Sequence, residues 1–556
     1  MEELRSDALV LRSRRYIGGG AATIVVSAIA VATGSPIGIG IAVLGGLLGA
    51  LFIHSGVELR RTGVAIHVYR RLMAALGQGR LEEAGAIVED VSRSPASKEV
   101  LVARVLATVR AMIASARGDF AAAVAAANDA VLLPRRAGRI WDDALHLEAR
   151  AHRAFGGAVL GASIAEDVDV VTRSPHAVPS QFARVELACA VALARAERKA
   201  ELAEHLARHA GLLLEHSTPR ERALFRALRG YTRTAHGVYR ETPRASSEVK
   251  LRRWIETVVP AAASFAPGEP ATDGPERAPE RPPVDPARSV AVIEGRLRDL
   301  PPRPRPRWSS YALGIGGAFV WLYVGGMNAV GLILIGLLVV TLVAYALAYG
   351  SRGQSAILEA ERNMACGRIP LARKELRRVA RSGSSLGASA GHHLAILANR
   401  EGDFGLAMVE VERALALCKA PATFEVTRFF VVPGLLTESA VALAGLDRFE
   451  EATRELATLQ EGFPEYAHLG VAAFRVRLLC ATRRGNAEEA SAIAASRTPD
   501  LALDFATELL ADLALGDRSF EADLASSPMT AAWLRKVTPT AQSAETSTLS
   551  NENAPT

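Results

Sequence analysis

Cysteine is scarce in this chain of 556 residues, and the four cysteines lie far apart. No two of them form a CxxC pair, so the sequence argues against a disulfide framework and against a cysteine-based zinc site. Isolated cysteines on apolar helix faces usually behave as small buried hydrophobic residues. We therefore expect buried thiols, which fit a reducing compartment, at Cys189, Cys366, Cys418 and Cys480.

Catalytic motifs are missing as well. The sequence contains no P-loop, no GxSxG, no HExxH and no protein-kinase signature, and we therefore expect neither an enzyme nor a bound cofactor. Asp142 and His146 stand four apart on a predicted helix, but the local sequence offers no third metal ligand, which favours a helix-surface pair. His392 and His393 are adjacent and point to different helix faces, so we expect one to pack and the other to be solvated.

Lysine is nearly absent, because only six of the 65 basic residues are lysine and the rest are arginine. Such a bias is typical of GC-rich bacterial genomes, so an arginine cluster alone is a weak sign of a selected binding site. The formal net charge of +6 is small for a chain of this length. We therefore expect no nucleic-acid partner.

Charged side chains are absent from two long blocks, 16–57 and 308–351. One spanning helix needs about 20 apolar residues, so a straight helix of either block would be about twice as long as the hydrocarbon core is thick. Turn residues divide the blocks at Gly34-Ser35-Pro36 and at 325–328. The sequence therefore predicts a transmembrane helical hairpin in each block, with a re-entrant first segment as the alternative.

Arginines flank both predicted hairpins, whereas the turns between the spans carry no charge. By the positive-inside rule, both ends of each hairpin are predicted to be cytoplasmic. We expect a multi-pass protein of a bacterial cytoplasmic membrane, with the lipid bilayer as one partner and the soluble regions in the cytoplasm. Glycines at GxxxG spacing would let helices pack within one hairpin or between the chains of a homo-oligomer: Gly34, Gly38, Gly45 and Gly49.

Alternating strand patterns are absent from the regions that follow the two blocks, and apolar residues there recur at helical spacing. The tripeptide Gly-Asp-Phe occurs twice, at 118–120 and at 402–404. In each case a glycine would end one helix, and an apolar residue two positions later would begin the next. The same spacing, more or less degenerate, predicts eight helix turns, at Gly79, Gly118, Gly157, Arg198, Gly367, Gly402, Gly445 and Gly485.

One of these stretches, DRFEEATRELATLQEGFP, resembles the tetratricopeptide repeat (TPR) family. Phe449 and Ala452 match the beginning of the second helix of that repeat, and Pro464 stands where its closing proline belongs. The family's Trp and Leu-Gly signature in the first helix is not evident, and the spacing exceeds the family's standard length. The resemblance implies an α-solenoid that binds partner proteins or peptides on its concave surface.

The two halves of the chain repeat one plan, which is a short amphipathic stretch, a charge-free block and a helical array. We therefore predict an all-α protein with internal duplication, in which each of two transmembrane hairpins is followed by a TPR-like α-solenoid. The predicted regions are 1–15 (amphipathic segment), 16–57 (hairpin 1), 58–255 (array 1), 256–307 (proline-rich linker with a short amphipathic helix), 308–351 (hairpin 2), 352–536 (array 2) and 537–556 (disordered tail).

A basic stripe follows the second block in the stretch LARKELRRVARSG. Its cations lie on one face of a predicted helix and could contact anionic lipid headgroups or an acidic partner. The alternative is an ordinary solvated helix face. The residues are Arg373, Lys374, Arg377, Arg378 and Arg381.

Together these patterns favour a membrane-anchored scaffold that holds still unidentified protein partners on the cytoplasmic side. The alternative is a polytopic membrane channel, or an accessory subunit of a transporter, with regulatory helical arrays. The absence of charged residues inside the blocks argues against that alternative, because ion and proton pathways usually need such groups.

Overall fold

A computed structural model describes most of the two predicted helical arrays. Every regular element that it describes is a helix. No strand occurs among these residues, which confirms the all-α class for this part of the chain. The described residues are 8–32, 46, 49, 50, 53, 57, 64–77, 79–135, 140–233, 249–265, 286–298, 353–364, 367–381, 385–419, 425–464, 466, 468–497, 501, 503–517 and 521–538. The predicted hairpin 2 and the predicted tail beyond 538 lie outside this set.

The helices are numbered here in chain order. Those of the first half are α1 (Ala8–Ala32), α2 (64–77), α3 (Leu81–Arg93), α4 (Val100–Arg117), α5 (Phe120–Leu132), α6 (Ile140–Leu160), α7 (Ala165–Arg173), α8 (Pro179–Arg195), α9 (Lys199–His216), α10 (Pro219–Arg233) and α11 (Val249–Val258). A 3-10 turn, Pro260–Phe265, follows α11.

Helix α12 (Pro286–Arg298) precedes the second charge-free block. The helices of the second half are α13 (353–364), α14 (Ile369–Ala380), α15 (Ser385–Arg400), α16 (Phe404–Lys419), α17 (Glu425–Gly445), α18 (Phe449–Gly462), α19 (Leu469–Arg483), α20 (Ala487–Ala495), α21 (Phe505–Ala514), α22 (Glu521–Leu524) and α23 (Pro528–Val537).

Consecutive helices pack against each other in both halves, and several helices also pack against the next but one. Thus α4 contacts α6, α6 contacts α8, and in the second half α15 contacts α17, which contacts α19. This is the packing of helical hairpins stacked side by side.

The two Gly-Asp-Phe stretches fold in the same way. Gly118 has a left-handed backbone with φ +81°, and the next amide, of Asp119, donates to the Ala114 carbonyl at 2.9 Å. This bond satisfies one of the carbonyls that a helix end leaves without a partner. The Asp119 carboxylate then accepts from the Ala122 amide at 3.0 Å and caps the helix that Phe120 begins.

The second copy has the same three features. Gly402 has φ +67°, Asp403 donates its amide to the Ala398 carbonyl at 2.9 Å, and its carboxylate accepts from the Leu406 amide at 3.1 Å. Phe404 begins α16 and is buried. Gly-Asp-Phe is therefore a helix end, a helix cap and a buried first residue in immediate succession.

Five of the eight predicted turns are confirmed, because a left-handed glycine is followed two positions later by the first residue of a helix. They are Gly79, Gly118, Gly367, Gly402 and Gly485. The third prediction was wrong, since Gly157 lies inside α6 and the left-handed residue is Gly161. The glycine beside it, Gly156, instead permits close packing, because a Cβ there would lie 2.7 Å from the Val124 side chain on α5.

The two most degenerate turns are also shifted. Glu197 and Asp447 have φ of +57° and +63°, whereas Arg198 and Gly445 do not have the left-handed conformation. Gly445 is the last residue of α17 and faces Phe404, whose ring leaves no space for a Cβ. The left-handed residues of these two turns, Glu197 and Asp447, are charged, so the position of a glycine does not mark them in the sequence.

The two halves pack against each other. Helix α9 contacts α21, and a Cβ on Gly211 would lie 3.0 Å from the Ser526 carbonyl. One cluster of buried apolar side chains continues through α6 to α11 and on to α23. The linker between the predicted arrays therefore does not keep the described parts of the two halves separate.

Arginines of α10 hold this contact through buried ion pairs. Arg222 has almost no exposed surface, pairs with Glu508 and donates to the Leu503 carbonyl at 2.7 Å. Arg226 lies 2.8 Å from both Glu508 and Asp523. The arginine charges outweigh the effect of burial and lower the pKa of Glu508 to about 2.

The first charge-free block is described only in part. Its residues 16–32 continue α1, and glycines bring the chain back against this helix, since a Cβ on Gly20 would lie 2.6 Å from the Gly49 carbonyl oxygen. Three side chains of α1, Val25, Val26 and Ile29, are about 60 % exposed. Among the helices of the described ranges, none is both long enough and apolar enough to cross a membrane.

Candidate functional site

Helix α12 lies on the second half as a bound helical peptide would. It contacts α16, α17 and α18, and we call the surface that these three helices present the α12-binding surface. Ile293 and Leu297 are buried against it. The Val292 side chain packs closely against Gly462, where a Cβ would lie 2.9 Å from it.

Polar contacts fix α12 at both ends. Near its beginning, the Ser289 hydroxyl donates to the Gly462 carbonyl at 2.5 Å. At its end, the Lys419 ammonium donates to the Arg298 carbonyl at 3.0 Å, where a cation is also favoured by the helix dipole. Between them Arg296 pairs with Glu455, a buried carboxylate on α18.

The contact face of α12 has the spacing of a helical ligand. Ser289, Ile293 and Leu297 are buried at intervals of four, and Val290, Glu294 and Gly295 on the other side are exposed. Amphipathic helices that bind in grooves present anchors at this spacing. The sequence predicted an amphipathic helix here, but gave no sign of the surface that it would cover.

Helix α11 makes a comparable contact in the first half. Trp254 stacks on Phe155, with ring centroids 6.1 Å apart, and its indole N–H donates to the Ser115 carbonyl at 2.8 Å. Gly118 lies directly beneath, because a Cβ there would lie 3.6 Å from the Trp254 ring. Helix α11, at the end of predicted array 1, thus covers the first half much as α12, in the predicted linker, covers the second.

The predicted basic stripe lies on α14 and continues to Arg381. The buried residues of α14 are Ala372, Leu376 and Val379, so the stripe is on the outer face. Arg373 pairs with Glu401, and Arg378 with Glu375 at 2.6 Å. The remaining cations of the stripe, which are Lys374, Arg377 and Arg381, are exposed.

The predicted membrane glycines are described only at Gly49, because Gly34, Gly38 and Gly45 lie outside the described residues. Gly49 packs against Gly20 and against Ile24, whose side chain would lie 2.6 Å from an added Cβ. The contact is therefore within one chain, between α1 and the segment that returns toward it.

Asp142 and His146 are not the surface pair that the sequence favoured, because both are buried. Asp142 forms an ion pair with Arg104, which also donates to the Leu133 carbonyl at 2.8 Å. His146 accepts from Arg150 at 2.9 Å, and burial lowers its pKa to about 4. Both side chains stabilise the packing of the first half.

His392 and His393 have different surroundings, but both are partly exposed, so neither is the fully solvated histidine that the sequence predicted. His392 packs against Gly434, where a Cβ would lie 2.4 Å from the ring, and burial lowers its pKa to about 3. His393 is partly exposed and lies 3.2 Å from Glu361. The two buried cysteines in the described residues, Cys418 and Cys480, have raised pKa values of about 12 and 11 because burial disfavours the thiolate.

Within the described residues, one group of side chains has the spacing of metal ligands. Glu186 on α8 lies close to His205 and His209 on α9, and one ligand atom from each lies within 4.8 Å of the others. Sequence reasoning missed this group because Glu186 is on a different helix. The His-x-x-x-His spacing at 205–209 was the signal that could have found it.

No protein-family model matches the chain, and no curated protein and no solved structure matches it either. The resemblance to the TPR family therefore depends on the motif residues alone.

Proposed function

We propose that this protein is a membrane-anchored scaffold whose TPR-like helical arrays bind amphipathic helical segments of partner proteins. The observation that carries the proposal is the docking of α12 on the α12-binding surface. This surface takes up an amphipathic helix through buried aliphatic anchors, a backbone hydrogen bond and an ion pair. A partner helix with the same spacing of anchors would find the same contacts.

Repeated packing supports the α-solenoid part of the proposal. Successive helix pairs with the same turn pack side by side in both halves, and stacked pairs of this kind present continuous surfaces for protein ligands. The duplicated sequence plan gives each chain two such arrays.

The membrane part of the proposal is supported by the two charge-free blocks and by the exposed valine and isoleucine side chains of α1. A contiguous apolar surface of this kind is favourable against lipid or protein and unfavourable in water. The flanking arginines support a cytoplasmic location for both arrays. A reporter fused after residue 55 or after residue 351 tests this orientation, and an external reporter would overturn it.

Peptide binding to the full-length protein tests the scaffold function. In a variant with Ile293→Asp and Leu297→Asp, α12 loses its anchors and the surface is open. A fluorescent peptide of residues 286–298 should then bind saturably. It should bind far more weakly to the unchanged chain, because the tethered helix competes at an effective concentration on the order of 1 mM.

The control peptide carries the same two aspartates and should not bind. Adding Gly462→Leu to the open variant should also abolish binding, because a side chain there occupies the position of Val292. Equal binding of both peptides, or no binding to the open variant, would show that this surface does not recognise helices in trans.

A further inference from the structure

A histidine pair and a glutamate meet where α8 and α9 pack together. His205 and His209 are four residues apart, so they stand side by side on one face of α9, with ring centroids 4.7 Å apart. Across from them, an Oε2 atom of Glu186 lies 3.5 Å from Nε2 of His205 and 3.7 Å from Nε2 of His209. The three groups converge on one small volume.

These distances match the separation between ligands of one metal ion. With metal–ligand distances of about 2.0–2.2 Å in a tetrahedron, neighbouring ligand atoms lie about 3.3–3.6 Å apart. The observed 3.5 Å and 3.7 Å are close to this separation, and the ligand atoms of the two histidines lie within 4.8 Å of each other.

Hydrogen bonding accounts for part of the arrangement but not for all of it. His205 Nε2 lies 2.9 Å from the backbone carbonyl of Glu186, which explains the orientation of this ring without an ion, and Nε2 has to give up this hydrogen bond and its proton to bind one. His209 has no such contact with Glu186, because 3.7 Å is longer than a hydrogen bond. The second histidine and the carboxylate thus face each other across a gap that a cation would fill.

The chemistry of the three groups is that of a transition-metal site. Neutral imidazole and carboxylate are both ligands of Zn²⁺. The side chains of Glu186, His205 and His209 are 17 %, 15 % and 25 % exposed. An ion can therefore reach them, and water can complete its coordination.

We propose that Glu186, His205 and His209 bind one divalent transition-metal ion of the Zn²⁺ class and thereby fasten α8 to α9. Helix α9 also carries contacts with the second half, since Glu215 accepts from Thr530 at 2.6 Å and Gly211 approaches Ser526. The ion would hold the helix on which the two halves meet.

Metal titration of the full-length protein tests this site. The protein is purified without a histidine tag, stripped with a chelator and titrated with Zn²⁺ or Co²⁺ alone. We expect saturable binding at the three ligands, visible d–d absorption in the Co²⁺ form, and an increase in the unfolding midpoint with Zn²⁺. His209→Gln and Glu186→Gln each remove one ligand. Each should weaken metal binding by at least roughly 10–100-fold, which is the loss typical of substituting a residue that only hydrogen-bonds to a metal ligand.

His176→Gln is the matched control. His176 is also partly exposed beside a carboxylate, with 3.8 Å to Asp143, but it is not part of a three-ligand group in the described residues. This variant should bind the metal as the unchanged protein does. Circular dichroism of the stripped variants shows whether they fold.

The proposal is overturned if the folded, unchanged protein shows no saturable binding. It is also overturned if His209→Gln and Glu186→Gln bind as tightly as the unchanged chain, or if Zn²⁺ raises the unfolding midpoints of those variants equally.

Discussion

At the scale of single residues, the turns between helices depend on one backbone conformation. In the described residues, seven glycines have a left-handed backbone conformation. Glu197 and Asp447 adopt the same conformation although they carry a side chain. For an L-residue other than glycine this conformation costs about 1–2 kcal/mol. Glu197 is therefore a position where the native sequence stores strain.

Replacement of Glu197 by glycine should stabilise the protein. The release of strain exceeds the added flexibility of the unfolded chain, and we expect the free energy of unfolding to rise by about 0.5–1 kcal/mol. Ala203→Gly, at an exposed position inside α9, should instead lower it by about 1 kcal/mol. Urea unfolding measures both, and a destabilised Glu197→Gly variant would contradict the assigned conformation.

Three histidines with lowered pKa values, of which His146 is fully buried and two are partly exposed, should make the protein sensitive to mild acid. Burial lowers the pKa of His146 to about 4 and those of His216 and His392 to about 3. In this range the unfolded state binds more protons than the folded state, so stability is present above pH 6.5 and is lost as the pH falls toward 4 and 3. At pH 5.5 each histidine costs up to about 1.4 kcal/mol.

Unfolding midpoints measured between pH 7.5 and pH 5 test this expectation. His392→Gln, which cannot titrate, should have a shallower pH dependence than the unchanged protein even if it is less stable at pH 7.5. An identical slope for the two proteins would show that His392 is protonated in the folded state.

At the scale of helices, α12 depends on one glycine of its binding surface. Gly462→Ala places a Cβ 2.9 Å from the Val292 side chain and should push α12 away. Hydrogen exchange of the backbone amides in 286–298 should then become faster, on the order of tenfold for each 1.4 kcal/mol of lost binding.

Gly295→Ala is the matched control on α12 itself. A Cβ at this exposed position meets no other atom within 4 Å, and alanine favours the helix by about 1 kcal/mol over glycine. Exchange in 286–298 should become slower in this variant. Equal exchange in both variants would mean that α12 does not depend on the contact at Gly462.

At the scale of the whole molecule, the two halves are joined by buried charges. Arg222→Met removes one ion-pair partner of the buried Glu508 and leaves it paired with Arg226, with the Arg497 charge also acting on it. Because removing one partner of a buried pair costs about 3–5 kcal/mol, we expect a loss of this size in urea unfolding. Arg208→Met, which breaks an exposed pair with Glu204, should cost less than about 1 kcal/mol.

A second substitution separates the ion pair from simple packing. The double variant Arg222→Met, Glu508→Met removes both partners of the buried pair, so the Glu508 carboxylate is no longer left without its arginine. A large part of the lost stability should therefore return. If the double variant is as unstable as the sum of the two single variants, the pair does not explain the contact between the halves.

The sequence predicted those parts of this fold that depend on local chemistry. Gly118 and Gly402 could be identified as helix ends because glycine alone adopts the left-handed conformation without strain. Glu197 and Asp447 could not, because a charged residue rarely adopts that conformation and gives no sign of it in the sequence. The amphipathic α12 was visible from its own spacing, whereas its binding surface combines three helices that are distant from it in sequence.

The same distinction applies to the charged groups. The spacing of Asp142 and His146 suggested a helix surface, but Arg104 from another helix turns this position into a buried ion pair. Arg222 and Glu508 are separated by most of the chain, and no local pattern connects them. The contacts between the two halves could therefore not be predicted from the sequence.

Site-specific photocrosslinking in native membranes tests the central claim, that the α12-binding surface holds a partner helix. A photoreactive residue replaces Lys419, whose ammonium contacts the end of α12. In the otherwise unchanged chain we predict a crosslink to the α12 segment. With Ile293→Asp and Leu297→Asp we predict a heavier product that contains a second protein and disappears with Gly462→Leu. No heavier product in the open variant, or one that persists with Gly462→Leu, would contradict the account.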